Sequence, residues 1–206
     1  MQDQPSYLFP LPHTSLIAAL AQHVTLSQEE EAAFLAICEI REAKKKEFLL
    51  HTGQPTRALY FVQKGCLRSF IVDKAGKEVN LEFAVEHYWI SDIGFGKPAL
   101  LSIQALEPTQ YVQINIAAFE QLTQGYPVFN LFFRKLLQNG YFAFKKRTLS
   151  GMTQTAAENY RDFLLKFPDL SQRIPQYHIA SYLGITPEFF SSIKSEGLDL
   201  YQQAIS

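Results

Sequence analysis

The segment QYHIASYLGITPEFFSSIK, residues 176–194, carries the strongest folding signal in the chain. Pro175 precedes it and suits the first turn of a helix, where the missing N–H of proline is not needed. Gly184 follows the last turn of that helix and can adopt a positive φ. Thr186 is a good N-cap for a second helix, with Pro187 at its first position. Two helices joined by a three-residue turn with glycine are predicted, which is a helix-turn-helix.

The second helix of such a motif enters the major groove of DNA. Phe190 and Ile193 give this helix an apolar face toward a core, which leaves its polar residues for contacts. The candidate DNA-binding residues are Thr186, Glu188, Ser191, Ser192, Lys194 and, before the motif, Arg173. Glu188 can accept a hydrogen bond from N4 of cytosine. The alternative interpretation is a plain helical hairpin with no role in DNA binding.

The net charge of the C-terminal region has the wrong sign for binding duplex DNA. Residues 151–206 contain four basic and six acidic residues, a net charge of −2, whereas affinity for duplex DNA comes largely from phosphate contacts. The whole chain has 19 Lys and Arg against 20 Asp and Glu, so any nucleic-acid site must be a local patch. The run Lys145-Lys146-Arg147 either adds to such a patch or is a solvated helix end stabilised by the helix dipole.

Short β-like runs separated by turns occupy residues 47–115. They include ALYFVQ at 58–63, CLRSFIV at 66–72, VNLEF at 79–83 and YVQINI at 111–116, which alternates strictly between apolar and polar residues. Such spacing predicts a sandwich or barrel rather than βαβ units. Upstream, Ser27 and Glu30 form a capping box that predicts a helix at about 28–39.

A long helix is predicted from Pro127 to about Leu149. Its apolar positions recur every three to four residues, in a narrow stripe like a coiled-coil seam: Phe129, Phe133, Leu136, Gly140 and Phe144. The stripe fits either a core helix covered by its own chain or a subunit interface.

Composition excludes several classes of protein. The 206 residues are 47% hydrophobic, enough for a packed core. Because the chain has only two cysteines, a disulfide scaffold and an iron–sulfur cluster held by four thiolates are both excluded. No apolar run approaches the ~18 residues of a membrane span, and residues 1–15 lack the pattern of a signal peptide, so a cytoplasmic protein is expected. Scattered histidines and the lack of catalytic motifs predict no enzyme activity, no catalytic residues, no metal and no cofactor.

The order of strand-rich region, long helix and helix-turn-helix resembles the Crp/Fnr family of bacterial transcription regulators, and IASYLGITPE is similar to the motif of its shortened members. The resemblance implies an α+β fold. An antiparallel β-roll of the cyclic-nucleotide-binding type, with N-terminal helices, is expected over 1–125, a long dimerisation helix over 126–150, and an all-α helix-turn-helix domain without a wing over 151–206. It also implies a homodimer on double-stranded DNA, which favours the interface interpretation of the stripe.

Two family signatures differ in this chain. The family's nucleotide pocket usually has a Gly-Glu pair for the ribose and an Arg for the cyclic phosphate. Residues 88–107 contain no such pair, and Ala99 falls about where that Arg is expected, so cyclic AMP is not the expected effector. A pocket for another small molecule, of unknown identity, would use Trp89, Ser91, Asp92 and Lys97, unless these residues simply pack or cap a turn.

The second signature is the pair of guanine-reading arginines that the family often has in its recognition helix. Pro187 and Ser192 occupy those places here. The resemblance therefore predicts a dimeric DNA-binding transcription regulator with an unknown effector. The alternative is a sensor or interaction protein of the same fold that has lost tight DNA binding.

Overall fold

The structure is a computed structural model that describes residues 12–94 and 96–206. Residues 1–11, on which the expectation of no signal peptide mainly rests, lie outside the described residues. Its helices are α1 (Pro12–Ala21), α2 (Gln28–Leu35), α3 (Ile116–Gly125), α4 (Val128–Thr153), α5 (Ala156–Lys166), α6 (Leu170–Arg173), α7 (Gln176–Leu183) and α8 (Pro187–Ile205). Its strands are β1 (Cys38–Ala43), β2 (Phe48–Leu50), β3 (Ala58–Lys64), β4 (Leu67–Val72), β5 (Glu78–Ala84), β6 (Trp89–Ile90), β7 (Ser102–Ala105) and β8 (Thr109–Asn115).

The strands form two four-stranded antiparallel sheets, which together make a β-roll. One sheet has the order β1-β8-β3-β6 and the other β2-β7-β4-β5. Side chains from both sheets fill the space between them in one buried cluster. Within it, Tyr60 packs edge-on against Tyr111 with ring centroids 5.8 Å apart. The predicted α+β fold with an antiparallel roll is confirmed.

The start of the roll differs from the sequence prediction. The capping box is present, with Ser27 Oγ accepting from the N–H of Glu30, but α2 ends at Leu35 rather than near residue 39. Residues 38–43 form β1, which pairs with β8 along its whole length. This edge strand exposes four of its six residues, so it lacks the regular burial alternation by which a strand is recognised.

The first half of the long helix packs against its own chain. Phe129 is fully buried and stacks on Phe34, with ring centroids 5.3 Å apart. Phe133 lies 5.6 Å from Phe119, and Leu136 packs against the same cluster. The prediction that Phe129 contacts a second subunit is therefore wrong, because it has no surface left to offer. Phe133 and Leu136 also pack against this core but are only partly buried, so each keeps some exposed surface.

The second half of the helix is exposed. Tyr141 and Phe142 are each 70% exposed and Met152 is 77% exposed, and Phe144 and Leu149 are more than half exposed. The predicted interface residues Gly140 and Phe144 lie in this half. The helix also continues to Thr153, four residues beyond its predicted end.

The C-terminal helices share a core with the roll. Phe83 of β5 is fully buried, and its ring lies 5.2 Å from Tyr182, 6.1 Å from Phe163 and 6.3 Å from Phe167. These three aromatic residues come from α7, from α5 and from the residue that ends α5. The helix-turn-helix is therefore docked on the roll of the same chain.

Helix α8 packs closely against α5 at Gly197, and a substitution there tests this contact. A Cβ at Gly197 would lie 2.6 Å from Cδ1 of Tyr160 and 3.2 Å from the carbonyl oxygen of Ala157, and Tyr160 is itself buried. We expect Gly197→Ala to lower the free energy of unfolding by about 1–3 kcal/mol, the usual cost of overpacking. The measurement is equilibrium unfolding in urea.

The matched control is Gly151→Ala on α4, where an added Cβ meets nothing within 4 Å. It should raise the free energy of unfolding by about 0.5–1 kcal/mol, because alanine restricts the unfolded chain and favours the helix. Equal effects of the two substitutions would contradict the described crossing.

Candidate nucleic-acid interface

The helix-turn-helix has the local geometry that its sequence predicts. Gly184 ends α7 with φ 73°, the left-handed conformation that glycine adopts without strain. Thr186 caps α8, its Oγ1 accepting from the N–H of Phe189 at 3.2 Å. The second helix is longer than expected: residues 195–205 continue α8, so this segment forms no β-hairpin wing.

The predicted DNA-binding residues of α8 lie on its open face. Phe190 and Ile193 point into the core, and the Phe190 ring packs edge-on against Tyr160 at 4.9 Å. On the other side, four of the candidates are exposed and Lys194 is half-buried; the exposed four are Thr186, Glu188, Ser191 and Ser192. The hydroxyls of Ser191 and Ser192 donate to backbone carbonyls of the preceding turn, which leaves their lone pairs to accept.

Arg173 has a different role from the predicted one. Its NH1 and NH2 donate to the two carboxylate oxygens of Glu86, each at 2.9 Å, and its Nε donates to Glu107 at 3.1 Å. Both carboxylates belong to the roll. A guanidinium held by two carboxylates is not available to a phosphate, so the structure contradicts Arg173 as a DNA contact and makes it a clamp between the two parts of the chain.

The charge state of Glu86 follows from this clamp. Burial alone would raise the pKa of Glu86, but hydrogen bonds from Arg173 and from the N–H of Gly65 lower it below its ordinary value. The same hydrogen bond raises the pKa of Arg173. Both groups are therefore charged at neutral pH.

A second, more deeply buried network joins β4 to α7. The Arg68 side chain is 3% exposed. It donates to Gln104 from Nε and NH2, at 3.1 and 2.6 Å, and to Asn80 from NH1 at 3.0 Å. NH1 also faces Glu78 at 2.6 Å and Nδ1 of His178 at 3.2 Å. Each of the three guanidinium nitrogens thereby has a partner within the protein, as burial of a charge requires.

His178 is held as a neutral imidazole. Two donors face its Nδ1, the Arg68 NH1 and the Asn80 amide, both at 3.2 Å, so Nδ1 must accept. Burial first, then the charges of Arg68 and Lys45, lower the pKa of His178 to about 4. This network was not predicted from the sequence. Its one signal was a charged residue, Arg68, in the middle of the apolar run CLRSFIV.

Ser181 and Arg147 complete the attachment of α7. Ser181 Oγ donates to the carbonyl of Glu78 at 2.8 Å and accepts from the N–H of Asn80 at 3.0 Å. Arg147 of α4 donates to the carbonyls of Leu81 and Tyr182, and its guanidinium lies 3.9 Å from the Tyr182 ring centroid. Of the run 145–147, the arginine is therefore structural and the two lysines are exposed.

The predicted ligand residues are not assembled into one site. The Trp89 ring packs between Phe61 and Phe132, with centroids 4.9 and 5.5 Å away, and Ser91 Oγ donates to the carbonyl of Ala58 at 2.8 Å. Lys97 is exposed.

Asp92 has a clear structural task in the loop before β7. Its Oδ2 accepts from the backbone N–H groups of Leu100 and Leu101, at 2.6 and 3.1 Å. The neighbouring Ala99 is buried. The backbone N–H groups of this loop thus converge on a carboxylate of the chain itself, that of Asp92.

A cleft of about 190 Å³ lies between the β4–β5 turn and the helix-turn-helix. Lys77 and Glu78 line it from the roll, and Tyr177, Ser181 and Pro187 line it from the helices. The cleft marks how closely the β4–β5 turn approaches the beginning of α8.

Comparison with known proteins agrees with this architecture. The family model described as cyclic nucleotide-binding domain matches residues 40–126. The chain is 29% identical over 97 residues to the cAMP-activated global transcriptional regulator CRP of Salmonella typhimurium, an alignment that covers 46% of each protein. It therefore spans about half the length of that relative. With the transcriptional activator protein anr of Pseudomonas aeruginosa, identity is 25% over 165 residues, 74% of this chain and 68% of the relative.

Solved structures show the same fold. FixK2 from Bradyrhizobium japonicum superposes with a TM-score of 0.68 at 21% identity, covering 82% of this chain and 87% of that one. A putative regulator of the Crp/Fnr family from Eubacterium rectale gives a TM-score of 0.64 at 16% identity, with 82% of both chains covered.

The protein thus combines a cyclic nucleotide-binding domain with a C-terminal helix-turn-helix. The chain is similar in sequence to the transcription regulators CRP and anr, in agreement with the resemblance predicted from its sequence. Within the described residues, no helix has the length and apolarity needed to cross a membrane.

The buried imidazole of His178 leads to a prediction about how the stability of the fold depends on pH. The pKa of His178 is about 4 in the folded protein, against an ordinary value of 6.5. Between these values the unfolded chain binds the proton more readily, so stability is lost as pH falls from 6.5 to 4 and is unaffected by this group above 6.5. Replacing the imidazole by an amide, His178→Gln, should flatten that part of the curve of urea midpoint against pH.

His51→Gln, at the exposed His51, is the control and should keep the wild-type curve. Superimposable curves for wild type and His178→Gln would show that the imidazole is not held neutral.

Proposed function

We propose that this protein is a dimeric, DNA-binding transcription regulator of the Crp/Fnr type whose effector is a small molecule other than cyclic AMP. The observation that carries the proposal is the open N-terminal turn of α8. This is the end of a recognition helix that contacts base edges, and Thr186, Glu188, Ser191 and Ser192 are exposed there while the opposite face is buried. Homology to transcription regulators supports the same general function.

The exposed half of α4 supports the dimer. Five large apolar side chains are more than half exposed along three turns of this helix: Tyr141, Phe142, Phe144, Leu149 and Met152. A contiguous apolar surface of this kind marks an interaction site. A second copy of the same helix would cover it, with Gly140 allowing a close approach.

The loop before β7 argues against cyclic AMP. The backbone donors of Leu100 and Leu101 are taken by Asp92, and Ala99 has no guanidinium with which to clamp a phosphate. A cyclic phosphate would have to displace a carboxylate without a guanidinium at position 99 to compensate it.

DNA binding is tested by titrating the protein with the duplex upstream of its own coding sequence and with random duplex, at several salt concentrations. We expect the upstream duplex to bind at least about 10³-fold more tightly, the lower end for specific recognition, with no change on adding millimolar cyclic AMP. Glu188→Ala should reduce that preference, because a good base contact contributes about 1–3 kcal/mol of discrimination.

Glu196→Ala is the matched control, since it removes the same charge from an exposed position two turns further along α8. Equal, weak binding of both duplexes by the wild-type protein would refute sequence-specific regulation and favour a sensor or interaction protein of this fold.

The dimer is tested by Phe142→Glu, which places a charge in the exposed apolar band of α4. We expect a monomer by sedimentation equilibrium with the fold retained, because Phe142 makes no core contact to lose. Phe133 is unsuitable for this purpose, since it packs against Phe119. Leu165→Glu, at an exposed position of α5, should remain dimeric; a dimeric Phe142→Glu protein would exclude this seam.

A further inference from the structure

Three of the four basic residues of the C-terminal helices, residues 151–206, are engaged within the protein, and the fourth is Lys194. Arg161 pairs with Asp162 and Arg173 with Glu86 and Glu107. Lys166 lies over the rings of Tyr88 and Phe167, with its Nζ 5.8 and 5.0 Å from their centroids. A DNA-binding region with a net charge of −2 over residues 151–206 needs phosphate contacts from elsewhere.

Two turns of the roll present lysines beside the motif. Three consecutive residues of the β1–β2 turn, Lys44, Lys45 and Lys46, are exposed, and so are Lys74 and Lys77 of the β4–β5 turn. We call these five residues the roll lysines. In the described part of the chain, every salt bridge uses an arginine as its cation, so no roll lysine is neutralised by an ion pair.

Hydrogen bonds fix the β1–β2 turn next to α7. The carbonyl of Lys46 accepts from Nε2 of Gln104 at 3.0 Å, and the other end of that amide accepts from Arg68 at 2.6 Å. Arg68 in turn contacts His178 of α7. The positive charge of Lys45 also lowers the pKa of His178, although burial and the charge of Arg68 have larger effects.

The β4–β5 turn lies next to the start of α8. Lys77 and Pro187 line the same cleft. The pKa of Glu188 is lowered first by its own backbone N–H, then by Thr186, and also by the charge of Lys77. Lys77 is therefore beside the turn of α8 that would enter the major groove.

The acidic residues of these turns are engaged locally. Glu47 accepts from the N–H of Lys44 at 2.8 Å, and Asp73 accepts from the N–H groups of Ala75 and Lys77. Glu78 pairs with Arg68 at 2.6 Å. Each of these carboxylates therefore has a backbone or guanidinium partner, and none of them forms a salt bridge with a roll lysine.

We propose that the β-roll supplies the DNA-backbone contacts that the helix-turn-helix lacks, through the roll lysines on either side of the docked motif. The first helix of such a motif normally crosses the DNA backbone, but here β5 covers α7 through Ser181 and Asn80. The two lysine-bearing turns take its place beside the duplex. Recognition is thus shared between α8, which reads bases, and the roll, which binds phosphates. This inference rests on the proposed function, since it concerns the same DNA.

The salt dependence of binding tests the roll lysines directly. Fluorescence anisotropy with a random-sequence duplex gives the slope of log Kd against log salt for the full chain. Each phosphate contact contributes about 0.9 to that slope. The double variant Lys44→Gln/Lys45→Gln should lose about 1.8 and Lys77→Gln about 0.9 if each lysine contacts one phosphate.

Arg57→Gln is the control, because Arg57 is exposed immediately before β3 in the other sheet; it should keep the wild-type slope. Urea unfolding of each variant shows whether the turns stay intact. Wild-type slopes in both lysine variants would overturn the inference while leaving DNA binding by α8 in place.

The experiments can also support the roll contacts while refuting the proposed sequence-specific regulation. Equal affinity for upstream and random duplex, together with reduced slopes in the lysine variants, would support the roll contacts and refute sequence-specific regulation. A wild-type protein that binds no duplex at low salt would overturn both.

Discussion

The buried guanidinium of Arg68 is the contact on which the arrangement of the two parts of the chain depends. A charge that is 3% exposed must have partners for its N–H groups, since an unpaired buried charge is costly. Gln104 comes from β7, Asn80 and Glu78 from β5 and His178 from α7. The partners thus come from both sides of the interface: the roll supplies Gln104, Asn80 and Glu78, and His178 joins α7 to the same network. Phe83 and its aromatic neighbours then bury the apolar surface around this polar centre.

The long helix shows how one sequence pattern can serve two environments. Its first turns, around Phe129, are core, whereas its last turns, around Phe142 and Met152, are open. Heptad-like spacing could not separate the two, because an intramolecular core and a subunit seam both require an apolar residue every three to four positions. Only the position of Phe34 and Phe119, contributed by distant segments, decides which half is covered.

Local signals were sufficient for the helix-turn-helix, where Gly184, Thr186 and Pro187 each act through their own backbone. They were also sufficient for the α+β fold and for the open face of α8. The fate of Arg173 could not be foreseen, because its partners Glu86 and Glu107 are more than 60 residues away. The same holds for β1, which is specified by its pairing with β8, and for Asp92, whose role depends on the path of the loop that returns to it.

The Asp92 carboxylate has a further consequence for how this domain could sense anything. In a loop whose backbone N–H groups are unpaired, binding of an anion can order the loop. The free energy of that binding can then be coupled to a conformational change elsewhere. Here the anion is built into the polypeptide, and Leu100 and Leu101 are already bound to it. The loop is already closed on its own carboxylate, so an anionic ligand could order it only by displacing Asp92.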